Sequence, residues 1–139
     1  RYGTELVLCM FDLDHFKAIN DEFGHPIGDL ALADFAQRAR HVVRDTDSLG
    51  RYGGEEFVVL APNTGHAGAL QLAERLRAAT DATPMVFGDK RLHLTCSIGI
   101  AHSQGEESIE SLLDRADGAL YEAKEGGRNR VVAASAQPG

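Results

Sequence analysis

The chain has 139 residues, of which 43% are hydrophobic and 25% charged, and its net charge at pH 7 is −7. This length suits one domain with one core, and the acidic balance argues against nucleic acid as a partner. No hydrophobic run is long enough to span a membrane and no signal peptide opens the sequence, so we expect a cytoplasmic protein without a membrane segment.

The hydrophobic pattern alternates strands with amphipathic helices. Residues Glu5–Phe11 form an almost continuous hydrophobic run, typical of a strand buried on both faces. The pattern then predicts helices at His15–Phe23 and Gly28–Val43, a hairpin with its second strand at Glu56–Ala61, a helix at His66–Thr80, strands at Met85–Phe87 and Arg91–Ala101, a helix from Ser108 to Glu125 and a strand at Val131–Ala133. We assign Asp14, Thr64 and Ser108 as N-terminal caps. A sheet flanked by helices predicts an α/β or α+β fold.

Two cysteines, Cys9 and Cys96, fall in strand-like hydrophobic runs. Buried thiols in a reducing compartment fit this placement better than a disulfide, although a bridge stays open. The six histidines show no zinc-type spacing with the cysteines, so we assign none of them as a metal ligand.

The most distinctive segment is the pair Gly53-Gly54, which Glu55 and Glu56 follow directly. Paired glycines between short hydrophobic runs predict the tight turn of a hairpin. A turn without side chains lets a large ligand approach the backbone, and the carboxylates beside it could hold a cation. A solvated hairpin tip is the alternative.

A second carboxylate, Asp12, lies at the end of the first strand. If that strand neighbours the hairpin, Asp12 and Glu55 meet at one edge of the sheet. With the main-chain carbonyl of Leu13 they would form a hard oxygen site of the kind that Mg²⁺ or Mn²⁺ prefers. Acids at strand ends are more often only solvated, and the residues alone leave both readings open.

Several segments, taken together and in order, resemble a GGDEF domain, that is, a diguanylate cyclase, with the signature loop in its Gly-Gly-Glu-Glu-Phe form. They are Phe11–Asp21, Gly24-His25, Gly28-Asp29, Arg51–Phe57, Ser97–Ala101, Ala116-Asp117 and Lys124–Asn129. The resemblance covers residues 1–134 and leaves 135–139 as a frayed tail. It implies a central mixed, largely antiparallel sheet flanked by helices, similar to the nucleotidyl cyclase and polymerase palm fold. A segment that the family usually carries before this point is missing, so we expect an N-terminally truncated catalytic domain without its upstream sensory domain.

The resemblance implies that two GTP molecules condense into cyclic di-GMP with release of two pyrophosphates. Asp12, the Leu13 carbonyl and Glu55 match the family's site for two Mg²⁺ (or Mn²⁺) ions. Glu55 is then the candidate to help deprotonate the attacking 3′-hydroxyl, unless a metal-bound hydroxide serves instead, and Glu56 supports the metal. Gly53 and Gly54 form the turn over which the nucleotide lies.

The resemblance also implies how GTP is gripped at its phosphates. The backbone of Phe16 and Lys17 lies at a helix N-terminus, where N–H groups favour phosphate. Lys124 and Arg128 match a basic pair that grips the triphosphate; cations that cap a helix C-terminus are the alternative for this pair.

Two further pairs match sites for guanine. Asn20 and Asp29 match the base-recognition pair, and an Asp that accepts from the guanine N1–H and amine would reject adenine. Arg44 and Asp47 match the inhibitory site for the product, with Arg75 as a secondary contact.

One GTP per domain and two bonds per product imply a homodimer, which need be only transient. Two rival functions remain. One is a catalytically silent module that binds GTP or cyclic di-GMP, which the intact Asp12, Glu55, Lys124 and Arg128 disfavour. The other is a pure interaction domain, which would need none of these groups.

Overall fold

The computed structural model describes residues 5–135 and shows two sheets and four helices within that range. In chain order the elements are β1 (Glu5–Leu13), α1 (Phe16–Phe23), α2 (His25–Val42), β2 (Ser48–Gly53), β3 (Glu56–Pro62), α3 (His66–Asp81), β4 (Met85–Phe87), β5 (Lys90–Leu92), β6 (Cys96–Gln104), α4 (Ile109–Glu125) and β7 (Val131–Ala133). Of the tail predicted at 135–139, only the first residue, Ser135, lies within this range, and 136–139 lie outside the described residues. Among the described helices none is both long and hydrophobic enough to cross a membrane.

The main sheet has the strand order β2-β3-β1-β6-β7. Its neighbouring strands are antiparallel except for β6 and β7, which are parallel. Strands β4 and β5 form a separate two-stranded sheet. The predicted fold class, a mixed and largely antiparallel sheet flanked by helices, is therefore confirmed.

Strand β1 lies at the centre of the sheet and is buried on both faces, as its hydrophobic run predicts. Alternate side chains face opposite sides of a strand. Val7, Cys9 and Phe11 pack in the larger core with residues of α2 and α3, whereas Leu8 and Met10 pack against α4. The end of β1 is thus held rigidly between two layers of helix.

Three phenylalanine rings join β1, α2 and the hairpin strand β3. The rings of Phe11 and Phe35 have centroids 5.5 Å apart, those of Phe35 and Phe57 5.4 Å, and those of Phe11 and Phe57 5.9 Å. The two pairs that involve Phe35 are edge-to-face, and such pairs stabilise a core beyond the area they bury. The cluster fixes the hairpin, because Phe57 is only the second residue of β3.

The long strand predicted at Arg91–Ala101 is wrong, because residues 93–95 interrupt it. Leu92 pairs with Met85 in the small sheet, whereas Cys96 pairs with Leu13 in the main sheet. Residues 93–95 carry the chain from one sheet to the other. The period-2 pattern continues through this crossing, which is why the pattern alone does not reveal it.

The start predicted for the second helix at Gly28 is also wrong, since α2 begins at His25. Pro26 occupies the first turn of α2, where its missing N–H has no cost. Gly24, with φ 89°, separates the two helices.

Of the three predicted caps, only Ser108 is confirmed, because its side chain accepts a hydrogen bond from the N–H of Ser111. The cap residue of α1 is His15 and that of α3 is Gly65, and neither makes a side-chain cap. Asp14 and Thr64 instead bond to distant parts of the chain.

Candidate functional site

The two acidic segments of the sequence meet at one edge of the sheet. Asp12 pairs with Glu56 of β3 on one side and with Ser97 of β6 on the other. Glu55 lies in the turn that directly precedes Glu56. The predicted adjacency of the first strand and the hairpin is confirmed, and it places Asp12 beside the Glu55-Glu56 pair.

Asp12 points toward α4 and is almost completely buried, with 2% of its surface exposed. The amine of Lys124, near the end of α4, lies 2.6 Å from Asp12 Oδ2. Burial raises the pKa of Asp12 from 3.8 to about 6, against the opposing effect of the Lys124 hydrogen bond and charge, while the charges of Glu56 and Asp14 add to the rise. Lys124 therefore does not fully compensate for the burial of the Asp12 carboxylate.

The donors present fit a hard cation. Asp12 Oδ1 is buried and has no hydrogen-bond partner within the described part of the chain. Leu13 follows the last residue that β1 pairs with β3. No cluster of three or more His, Cys, Asp or Glu side chains arranged to hold a metal ion occurs in residues 5–135. A cation here would thus need oxygen ligands beyond the side chains, from the backbone and from its ligand.

The hairpin tip is exposed and open. The predicted hairpin is confirmed, and of the two glycines only Gly54 has a left-handed backbone, with φ 43°. A Cβ added to Gly53 or Gly54 would meet no atom of residues 5–135 within 4 Å. Arg51 steadies the turn by donating from Nε to the Gly54 carbonyl at 2.7 Å. Nothing inside the described chain demands a glycine at 53, which leaves the space above the turn for another molecule.

The N-terminus of α1 lies near the end of β1, with Asp14 and His15 between Leu13 and Phe16. His15 takes a left-handed conformation, with φ 59°, and makes no side-chain cap, so the first N–H groups of the helix gain no acceptor from it. The side chain of Lys17 is exposed and pairs with Asp21 at 3.1 Å. The backbone of Phe16 and Lys17 thus lies at a helix N-terminus, as the sequence predicts. Its contact with phosphate stays a prediction.

The two basic residues of the predicted phosphate grip lie at the C-terminus of α4 and just beyond it. Lys124 is in the last turn and holds Asp12. Arg128 follows the helix in a left-handed conformation with φ 64°, and its N–H donates to Ala123 O at 2.9 Å. Lys124 therefore lies at the predicted metal site, on the acid that would bind the cation.

The two residues of the predicted guanine-binding pair, Asn20 and Asp29, have different surroundings. Asp29 borders a cleft of about 520 Å³ between α2 and the hairpin, whose lining also includes Leu32, Arg51 and Phe57. Asn20 does not line this cleft. Its buried Oδ1 has no partner among the described residues, and a Cβ on Gly28 would fall 1.8 Å from it. The glycine at 28 thus lets Asn20 approach α2, next to Asp29.

The Arg44–Asp47 pair is already formed between α2 and β2. Arg44 donates to Asp47 from Nη2 at 2.9 Å, from Nε at 3.2 Å and from its backbone N–H at 2.9 Å. Arg44 Nη2 also donates to Thr64 Oγ1 at 2.7 Å, and Thr64 donates to Pro62 O. Although desolvation opposes it, hydrogen bonding from Arg44 lowers the pKa of Asp47. Arg75 is exposed on α3.

A hydrogen-bond network centred on Asp14 adjoins the site, and its residues have no predicted role there. Asp14, expected as a helix cap, accepts hydrogen bonds from Thr95 and Ser97. It also accepts from the backbone of Asn129, and the Asn129 side chain accepts from Arg77. Asn129 stands at the end of the Gly-Gly-Arg-Asn run, which is the only signal of its place that the sequence carries.

Comparison with known proteins gives a consistent result. The family described as "Diguanylate cyclase, GGDEF domain" matches residues 1–130. The chain is 48% identical over 134 residues to the diguanylate cyclase DgcP of Pseudomonas aeruginosa. The aligned region covers 96% of this chain but only 20% of DgcP.

Solved structures agree with this. The GGDEF domain of DgcB from Caulobacter crescentus, solved in complex with c-di-GMP, superimposes with a TM-score of 0.89 and 36% identity, covering 94% of this chain and 78% of that one. The active GGEEF domain of a diguanylate cyclase from Vibrio cholerae gives a TM-score of 0.86 and 34% identity, covering 96% and 85%. The chain therefore belongs to the GGDEF family of diguanylate cyclase domains.

Proposed function

We propose that this domain condenses two GTP molecules into cyclic di-GMP, with divalent metal ions, at the interface between two copies of itself. GGDEF diguanylate cyclases generally depend on a divalent metal ion. The observation that carries the proposal is the pairing of Asp12 with Glu56, which places a buried carboxylate beside the acids of the signature turn. The unpartnered Oδ1 of Asp12 supports a cation at this point.

Asp12, Glu55 and the Leu13 carbonyl would hold two Mg²⁺ or Mn²⁺ ions, with Glu56 in support. When bound, such ions neutralise triphosphate charge and favour departure of pyrophosphate. Lys124, which lies beside Asp12, and Arg128 would bind the triphosphate together with the N–H groups at Phe16 and Lys17.

Glu55 lies at the turn where a second copy can approach, and it accepts the proton of the attacking 3′-hydroxyl. That oxygen bonds to the α-phosphorus of the other GTP, and the bond from the α-phosphorus to the β-phosphate oxygen breaks. Pyrophosphate leaves with its electron pair. The same exchange on the second copy closes the ring, so each product requires both domains.

The guanine bases would be read by Asn20 and Asp29. Product would bind Arg44, Asp47 and Arg75 and inhibit the enzyme. The preformed Arg44–Asp47 pair supports this, since hydrogen bonds to the buried Asp47 carboxylate hold the half-exposed Arg44 guanidinium in a fixed orientation at the surface.

The direct test is incubation of concentrated protein with GTP and Mg²⁺ or Mn²⁺, followed by chromatography for cyclic di-GMP and pyrophosphate. We expect two pyrophosphates for each cyclic di-GMP. ATP in place of GTP is the matched control and should give no cyclic dinucleotide. Tight GTP binding without any product would contradict the cyclase and favour the silent binding module.

A further inference from the structure

Asp14 is a buried carboxylate to which the proposed reaction assigns no role. Only 3% of its surface is exposed. Its Oδ1 accepts a hydrogen bond from Ser97 at 2.6 Å, and its Oδ2 accepts from Thr95 at 2.6 Å and from the Asn129 N–H at 3.0 Å. Its own N–H donates to Thr95 O at 2.9 Å. Asp14 therefore ties the end of β1 to two distant segments.

The segment at Asn129 adopts a conformation that requires such a tie. Arg128 and Asn129 have φ of 64° and 47°, directly after Gly127 at 123°. A left-handed conformation is strained for most non-glycine residues, and two such residues in a row persist where neighbouring contacts hold them. Here the contacts are the Asp14 carboxylate on the Asn129 N–H and Arg77 Nη1 on Asn129 Oδ1 at 2.8 Å.

The segment on the other side of Asp14 also contains a left-handed residue. His15, the residue after Asp14, has φ 59° and is the N-terminal cap residue of α1. Asp14 thus connects the corner that aims the first N–H groups of α1 to the corner that carries Arg128. On the proposed function these are two sides of one triphosphate site.

We propose that Asp14 is a positioning residue that fixes the Arg128–Asn129 corner relative to the N-terminus of α1, so that both grip the same triphosphate. This inference rests on the proposed function. A ligand role is disfavoured by the contacts, because both oxygens of Asp14 already accept hydrogen bonds. Asp12, in contrast, keeps one oxygen without a partner in the described chain.

The geometry predicts that asparagine can replace Asp14. An amide oxygen in the place of Oδ2 still accepts from Thr95 and Asn129, and the amide nitrogen in the place of Oδ1 can donate to the hydroxyl of Ser97. Asp14→Asn keeps the tie and removes the charge, whereas Asp14→Ala removes both. The two variants therefore separate positioning from any role of the charge.

The experiment measures the affinity of the wild type and the two variants for a GTP analogue with an uncleavable α,β-methylene bridge, by calorimetry with Mg²⁺, alongside kcat and KM for GTP. Because hydrogen bonds to a charged group are stronger than neutral ones, we expect Asp14→Ala to bind the analogue about tenfold or more weakly. The effect on turnover should appear mainly as a higher KM. Asp14→Asn should stay within about threefold of the wild type. Thr80→Ala, which removes a buried hydroxyl bond in α3, is the control for lost stability and should bind the analogue as the wild type does.

Two outcomes overturn the inference: analogue binding by Asp14→Ala that equals the wild type, or Asp14→Asn that is as impaired as Asp14→Ala. If Asp14→Ala does not fold, Asp14→Ser, which keeps one acceptor oxygen but cannot span the three donors, replaces it in the same comparison. A wild type that binds the analogue but makes no cyclic di-GMP would refute the proposed function while leaving this comparison intact. A wild type that does not bind the analogue refutes both.

Discussion

At the scale of single residues, the site depends on a carboxylate whose surroundings do not satisfy it. Asp12 is buried, one oxygen contacts the Lys124 amine and the other has no partner in residues 5–135. A buried anion in this condition is costly to the fold. The same condition favours a cation, so a residue whose burial is costly to the fold is suited to bind the metal.

The pKa of Asp12 leads to a pH dependence of stability whose sign can be worked out. The carboxyl titrates near 3.8 when unfolded and near 6 when folded, so the folded state holds its proton longer. The stability contributed by Asp12 is therefore complete below the unfolded pKa and is lost as pH rises through the folded pKa. Asp12→Asn does not titrate, so its free energy of unfolding relative to the wild type should increase by about 3 kcal/mol across this range and then level off.

This difference is measured by chemical denaturation of both proteins at several pH values with a chelator present. Asp89→Asn, which changes an exposed acid of the β4–β5 turn, is measured alongside as the control. A constant difference between Asp12→Asn and the wild type would show that the buried carboxyl does not titrate in this way.

Glu55 is the residue whose change should affect turnover most. Glu55→Gln keeps the size of the side chain and removes both its negative charge and its ability to accept a proton. We expect turnover to fall by about 10²-fold or more, with the folded structure retained, because a general base contributes about that much. The measurement is the rate of cyclic di-GMP formation together with circular dichroism. Unchanged turnover in Glu55→Gln would falsify the catalytic role.

At the scale of elements, local patterns predict the helices and most strands, because periodicity is a property of neighbouring residues. Helix α4, for example, has its predicted cap Ser108 and its predicted end at Glu125. The predicted caps fail where a distant partner takes the side chain. Asp14 bonds to residues 81, 83 and 115 positions away. A short stretch of sequence does not show whether a side chain will cap its own helix or bond to a distant residue. It likewise does not show that the chain passes from one sheet to the other at residues 93–95.

The site shows the same division between what is local and what is not. The acids of the turn and Asp12 are recognisable from their segments, and the sheet brings them together as expected. The contact between Lys124 and Asp12 joins the C-terminal turn of α4 to the end of β1, and it is visible only in the folded chain. Asn129 and Thr64 form hydrogen bonds with site residues. Asparagine and threonine are common at surfaces and turns, so the sequence does not indicate these supporting contacts.

The turn between α2 and β2 should control inhibition by product. Arg44→Ala removes the guanidinium that holds Asp47 and Thr64, so added cyclic di-GMP should inhibit the variant at least about tenfold less strongly, given the worth of a charge-assisted bond. Thr64→Val is the matched control: it deletes one contact of Arg44 and leaves the Arg44–Asp47 pair, and it should remain inhibited. Inhibition curves at fixed GTP decide the matter, and identical curves for Arg44→Ala and the wild type would reject the inhibitory site.

At the scale of the whole molecule, the acidic site lies at an exposed edge, beneath a hairpin tip with open space above it. The domain offers one such edge among its described residues, whereas the proposed product has two newly formed phosphodiester bonds. The geometry therefore suits two copies placed face to face, with each Gly53-Gly54 turn near the nucleotide of the other.

This arrangement predicts a dependence of activity on protein concentration. Where most chains are monomers, the rate should rise with about the square of the protein concentration, because the active species is a pair. The measurement is the initial rate over a series of dilutions at saturating GTP, compared with light scattering on the same samples. A rate proportional to protein concentration in samples that scatter as monomers would contradict a catalytic dimer.

The burial of the two cysteines has a practical consequence for such experiments. Cys9 and Cys96 are free and enclosed in the core, and burial raises the pKa of each thiol to about 12. Alkylating reagents attack the thiolate, which is therefore almost absent at neutral pH and shielded as well. A cysteine introduced at an exposed position such as Asp89 would then be the one reactive thiol of the described domain. Spin labels or fluorophores attached there could report the distance between two copies without removal of the native cysteines.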